Sequence, residues 1–172
     1  MASNLQNINL EPDCANCAAY CCVALAFDQS NMFAYDKQAA VPCKHLDKAH
    51  SCTIHAELDQ QGFKGCVRYN CFGAGQRTFK EIFDGRSWRD HPDEAQEMFD
   101  AYRAMHNVHE FLAMLREVRK LKLSEAQIRQ VEAFEAELAP SRPWTSATLV
   151  AFETCGTFEE IRAFFMGLRD RV

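Results

Sequence analysis

The sequence contains no apolar run long enough to cross a bilayer. The longest, Cys17 to Phe27, is about half of the roughly 20 residues a membrane helix requires, so no transmembrane segment is expected. There is no basic run either. With a net charge of -5 and dispersed Lys and Arg, a phosphate-backbone partner is disfavoured and nucleic acid is not expected as a ligand. No Lys or Arg precedes Lys37, and Glu11 and Asp13 stand before the apolar run. The run therefore lacks the positive flank of a secretory signal, and the chain is expected to be cytoplasmic. Catalytic signatures are also missing: no Walker loop, no His-Glu-x-x-His order and no Ser-His-Asp set can be named from the spacing. Gly73-Ala74-Gly75 has neither a preceding strand nor a Lys-Ser pair, so it reads as a turn rather than a phosphate cradle.

What is present in excess is cysteine. Eight of the nine cysteines lie between positions 14 and 71: Cys14, Cys17, Cys21, Cys22, Cys43, Cys52, Cys66 and Cys71, with Cys155 alone outside. In a reducing compartment such thiols are kept for metals or redox chemistry rather than for disulfides, and an odd total argues against full pairing. Cys14-x2-Cys17 and Cys66-x4-Cys71 have the short spacing of structural zinc ligands, while thiolate-only ligation suits an iron–sulfur cluster equally. The spacings match neither the two-cluster nor the plant-type ferredoxin pattern. Eight thiolates would fill two centres of four ligands, or one centre with structural thiols to spare.

A helix over residues 14–27 would put Cys14, Cys17 and Cys21 on one stripe, with Cys22 about 100° away round the axis. His45, His50 and His55 lie in the same window, where a neutral imidazole could replace a thiolate at zinc. Sulfur is already sufficient, so they read as surface histidines or as supports for the ligands. Cys52 to Ile54 suits a short strand.

As an ordered set these groups resemble a known family, the CxxCxxCC proteins, described as zinc- or iron-chelating domains. The matching residues are Cys14-x2-Cys17-x3-Cys21-Cys22, Pro42-Cys43-x2-Leu46, Cys52-Thr53-Ile54-His55, Cys66-x4-Cys71 and the tail Cys71 to Gln76. The resemblance covers less than half of the chain and implies metal chelation by the eight cysteines, with zinc or iron left open. The chain departs from the family in three places. Three residues rather than two separate Cys17 from Cys21; His55 stands where Tyr is frequent; and an Arg-Pro before the third group is missing. The first leaves the roles of Cys21 and Cys22 open.

After Gln76 the pattern becomes helical. Thr78 to Arg89 reads as a linker that packs back on the core and is broken at Gly85. From about His91 to Leu121 apolar residues recur at helical spacing (Met98, Tyr102, Met105, His109, Leu112, Leu115, Val118), with Pro92 placed as a first-turn residue. Ser124 with Gln127 predicts a capping box and a helix to about Ala139, stopped by Pro140 and Pro143. A short helix is predicted over 146–154 and a last one from Thr157 through Arg169. His106, His109 and Glu110 read as solvated or core-edge groups. A ligand role is not expected for Cys155.

The expected fold is mainly α. A poorly ordered lead-in (1–13) precedes a cysteine-rich metal-binding lobe with little β (14–76), and a C-terminal bundle of about four helices (77–172) packs on it as one unit. The expected function is binding of zinc or an iron–sulfur cluster. The alternatives are an iron–sulfur redox or accessory protein serving a partner enzyme, and a metalloenzyme with an open metal position. An interaction with another protein is compatible with each.

Overall fold

The computed structural model describes residues 8–169. It is mainly helical: seven α-helices are described, and the extended backbone amounts to two isolated antiparallel bridges, Phe27 with Lys37 and Leu46 with Cys52. The short strand expected at 52–54 reduces to the second of these. Three short helices, α1 (Tyr20–Ala24), α2 (Lys64–Arg68) and α3 (Ala74–Arg77), lie in the cysteine-rich segment. The rest of the helical structure is α4 (Ala95–Val118), α5 (Glu125–Leu138), α6 (Ser146–Phe152) and α7 (Thr157–Arg169).

The long helix α4 is the axis of the molecule. Its buried residues Met98, Ala101, Tyr102, Met105, Val108, His109, Leu112 and Leu115 recur every three or four positions, which builds an apolar face broad enough to receive several neighbours. On that face it packs against α1, α3, α5 and α6. One hydrophobic core results, joining Ala18, Tyr20, Val23 and Ala74 from the cysteine-rich segment to Leu138, Leu149 and Ile161 from the C-terminal helices.

Helix boundaries follow local chemistry. Ser124 accepts from the Gln127 amide while the Gln127 side chain accepts from the Ser124 N–H, the capping box predicted from sequence. Thr145 and Thr148 form a second one at α6. The predicted long helix begins later than Pro92, at Ala95, after a turn in which the Glu94 N–H donates to His91 O. In the linker a π-turn over Thr78–Ile82 continues α3, and Gly85 at φ 77° ends it. Trp88 then returns to the core, its Nε1 donating to Ala18 O at 2.7 Å.

One expectation is overturned. Residues 14–27 do not form a single helix: Cys14–Asn16 is a 3-10 turn, Cys17 is extended (φ -133°, ψ 148°), and Ala19 is left-handed (φ 53°) before α1 begins. Small apolar residues at 15, 18 and 19 permit a helix but do not demand one, and burial of Ala18 against Trp88 selects the bent path. Residues 1–7 of the expected lead-in lie outside the described residues. Its remainder is in contact with the core, with Leu10 buried and Ile8 O accepting from Arg116 Nη2 at 2.6 Å.

Candidate metal site

All nine cysteines are free thiols. Bending of the first segment sends its sulfurs to different neighbours. Cys14, Cys17, Cys21, Cys22, Cys52 and Cys71 line one cavity of about 60 Å³ together with Asp13, His50, Gln76 and Tyr102. Cys43 and Cys66 lie beyond Cys22. Cys43 is tied to it by a backbone bond, Cys43 N–H to Cys22 O at 2.8 Å, and the Tyr35 hydroxyl lies 3.0 Å from Cys43 Sγ. Cys66, on α2, is held near by Gly65, whose N–H donates to Met32 O at 3.0 Å. Gly65 lies under the Phe33 ring; a Cβ there would come within 2.1 Å of a ring carbon.

The thiols sense one another electrostatically, and the pattern divides them. Burial, then the charge of Cys71, raises the Cys14 pKa; burial pushes Cys17 up to about 11, with Cys71 and Cys14 adding to it. Cys66 is likewise pushed to about 11 by burial and then by Cys22, Cys43 and Cys52. Burial, followed by Cys22 and Cys43, also raises Cys52. Cys14 and Cys17 thus act electrostatically with Cys71 in one set, and Cys52 and Cys66 with Cys22 and Cys43 in another, with Cys22 and Cys52 lining the cavity as well. The two meet where Cys21 Sγ and Cys22 Sγ lie 3.9 Å apart. A hydrogen bond from Cys21 lowers the Cys22 pKa, Lys37 lowers it further, and the same bond raises Cys21.

Among the described residues, no three Cys, His, Asp or Glu side chains are drawn together tightly enough to hold a metal ion as they stand. The donor types fit soft-metal ligation, and two features fit close approach at the sulfurs. Gly75 leaves room for Cys17, since a Cβ there would lie 2.5 Å from Cys17 Sγ. Left-handed backbone at Ala19 (φ 53°), His50 (φ 60°) and Phe72 (φ 49°) turns the chain beside the cavity; such strained conformations persist where surrounding structure enforces them.

The sequence did not single out the groups that steady the cysteines. Lys37 is 5% exposed and donates from Nζ to Val23 O at 3.0 Å, to Gln38 O at 3.1 Å and to Leu25 O. It thereby places a buried cation next to Cys22, its pKa lowered by burial. On α4, His106 and His109 grip both flanks of Cys71: His106 Nε2 lies 3.1 Å from Asn70 O, and His109 Nδ1 lies 2.5 Å from Phe72 O. His106 is half-buried at the edge of the core, as expected, whereas His109 is fully buried within it. The only signal in the sequence was the position of His109 on the apolar stripe. Tyr69 stacks on His106, and its hydroxyl meets that of Tyr102 at 2.5 Å.

The other predicted groups separate from the site. His45 packs edge-on to Phe63, and His55 is exposed in a turn, whereas His50 reaches the cavity. Cys155 is exposed near the start of α7, its Sγ 3.2 Å from Thr157 Oγ1. None of the described helices is long and apolar enough to cross a membrane.

No family model matches the chain, and no solved structure matches it. The chain is similar to the uncharacterized protein YybG of Bacillus subtilis (strain 168), with 39% identity over 117 residues, or 68% of this chain and 42% of that relative. It thus spans less than half the length of the curated protein it matches.

Proposed function

We propose that this chain is a metal-binding protein whose cysteine thiolates hold zinc or an iron–sulfur cluster. The supporting observation is that thiols from separate stretches of the chain, Cys14 to Cys22, Cys52 and Cys71, border one cavity, with Cys43 and Cys66 directly behind it. Eight unpaired thiols, none of them fully buried, are a poor use of sulfur for packing alone, and four-thiolate ligation suits zinc and iron–sulfur clusters alike. Resemblance to the CxxCxxCC proteins points the same way. In this reading residues 14–76 are the metal-binding lobe, α4 to α7 are the bundle that supports it, and the protein works in the reducing cytoplasm without nucleic acid or membrane. Loading would draw the sulfurs inward and deprotonate them, overcoming the raised pKa values of Cys14, Cys17, Cys52 and Cys66.

A metalloenzyme with an open metal position is the second reading. It is favoured by the cavity itself and by the exposure of Cys14 at its rim. Metal analysis and an absorption spectrum of protein purified without oxygen test both. One or two zinc ions in a colourless protein, or iron with acid-labile sulfide and broad visible absorption, are the expected alternatives. Protein that takes up neither under reducing conditions overturns the proposal.

A further inference from the structure

We infer that His50 supplies a nitrogen donor, in place of one thiolate, to a metal held by the cysteines that border its cavity. This rests on the metal-binding reading above and adds a ligand that cysteine spacing alone does not reveal. His50 lines the same cavity as Cys14, Cys17, Cys21, Cys22, Cys52 and Cys71. Its Nε2 is buried and finds no hydrogen-bond partner among the described residues. A buried polar atom left without a partner costs about 1–3 kcal/mol, and native proteins rarely retain one without a use for it. A histidine beside a thiol-lined cavity has an obvious use, because nitrogen and sulfur share zinc sites and also share the iron of some two-iron clusters.

The imidazole is also held in place. Asp47 Oδ1 accepts from the Ala49 and Ser51 N–H groups, both at 2.8 Å, and the Asp47 N–H donates to Ser51 O at 2.9 Å. This closes a tight loop with His50 at its tip in left-handed backbone, φ 60°, a conformation uncommon outside glycine that Asn, Asp and His adopt more readily than other residues. From outside, Trp88 supports the ring edge-on at 5.7 Å between centroids, while Arg89 Nη2 donates to Asp47 O at 3.0 Å. Neither His45 nor His55 has this combination of cavity, buried free nitrogen and braced loop.

The test uses the full chain loaded with cobalt(II) or cadmium. The variant is His50→Asn, because Asn tolerates the left-handed backbone and lacks the imidazole; His55→Ala is the control. The expected result is a cobalt spectrum and a cadmium resonance in His50→Asn displaced toward all-sulfur ligation, with affinity about tenfold or more weaker, while His55→Ala matches wild type. Identical spectra and affinity in His50→Asn overturn the inference and leave the cysteine reading standing. Should His50→Asn fail to fold, the wild-type protein decides: zinc must move the His50 Nε2 nitrogen resonance, and an unmoved resonance overturns the inference. A wild-type chain that takes no metal removes the underlying reading and the inference together.

Discussion

His109 has no exposed surface, and both ring nitrogens are engaged: Nδ1 faces Phe72 O and Nε2 lies 3.2 Å from Arg77 Nη1. The arrangement fixes a neutral ring that donates from Nδ1 and accepts at Nε2. Burial lowers its pKa from 6.5 to about 4. An unfolded chain takes up this proton near 6.5, whereas the folded protein refuses it until about 4, so stability is complete above 6.5 and falls as pH drops toward 4. The difference of about 2.5 units corresponds to roughly 3 kcal/mol. Urea unfolding across this interval should show that loss in the wild type and a flatter acid limb in His109→Gln; parallel acid limbs would refute it. The sequence put His109 on the apolar stripe of α4 but gave no sign of its partner, since Phe72 O lies 37 positions away and a backbone carbonyl leaves no mark in a side-chain pattern. Lys37 escaped for the same reason: its three acceptors are all carbonyls.

At the level of elements, legibility tracked the presence of local signals. The start of α5 was readable from side chains that act within one turn, Ser124 and Gln127, and the ends of α5 and α6 from Pro140 and Gly156; at α7 the helix begins at Thr157 as expected, but its hydroxyl donates to Glu137 Oε2 at 2.7 Å rather than serving a cap with Glu160. The segment 14–27 carried no such signal. Its break at Ala19 is imposed from outside, by the seat of Ala18 under Trp88 and by the approach of α3 to Cys17. That approach makes α3 testable as an element. Gly75→Ala would push a methyl to 2.5 Å from Cys17 Sγ, against a neighbour held by extended backbone. The overpacking should cost about 1–3 kcal/mol in thermal unfolding and, on the metal-binding reading proposed above, weaken metal retention. Unchanged stability and metal content in this variant would show that α3 and Cys17 shift apart freely.

Over the whole molecule the same core serves two unlike halves. α4 holds α5 and α6 with long apolar side chains, but meets the cysteine-rich segment with fewer ones, Tyr20, Val23 and Ala74 chief among them. The C-terminal helices therefore have burial of their own, while the cysteine-rich segment, short in regular structure, depends more on what its thiols bind. A strong chelator is expected to remove hydrogen-exchange protection from residues 14–71 while the helical signal of α4 to α7 persists. Loss of both together would mean that the metal stabilises the entire chain, and loss of neither that it stabilises none of it. That architecture was only partly visible in advance: periodicity separated a helical half from a cysteine-rich one, yet could not show one core running through both.

The hold of α4 on both flanks of Cys71 also sets an order of assembly. Cys14 to Cys22 can draw together within a few residues of chain, but Asn70 and Phe72 are seated by His106 and His109, which lie 36 and 37 positions further on. Closing a loop of that length carries an entropic cost, which a formed helix offsets by offering both contacts at once. Cys71 is therefore expected to settle beside the other sulfurs once α4 has formed, and a nascent chain whose C-terminal helices are still being made to present its first thiols without their last partner.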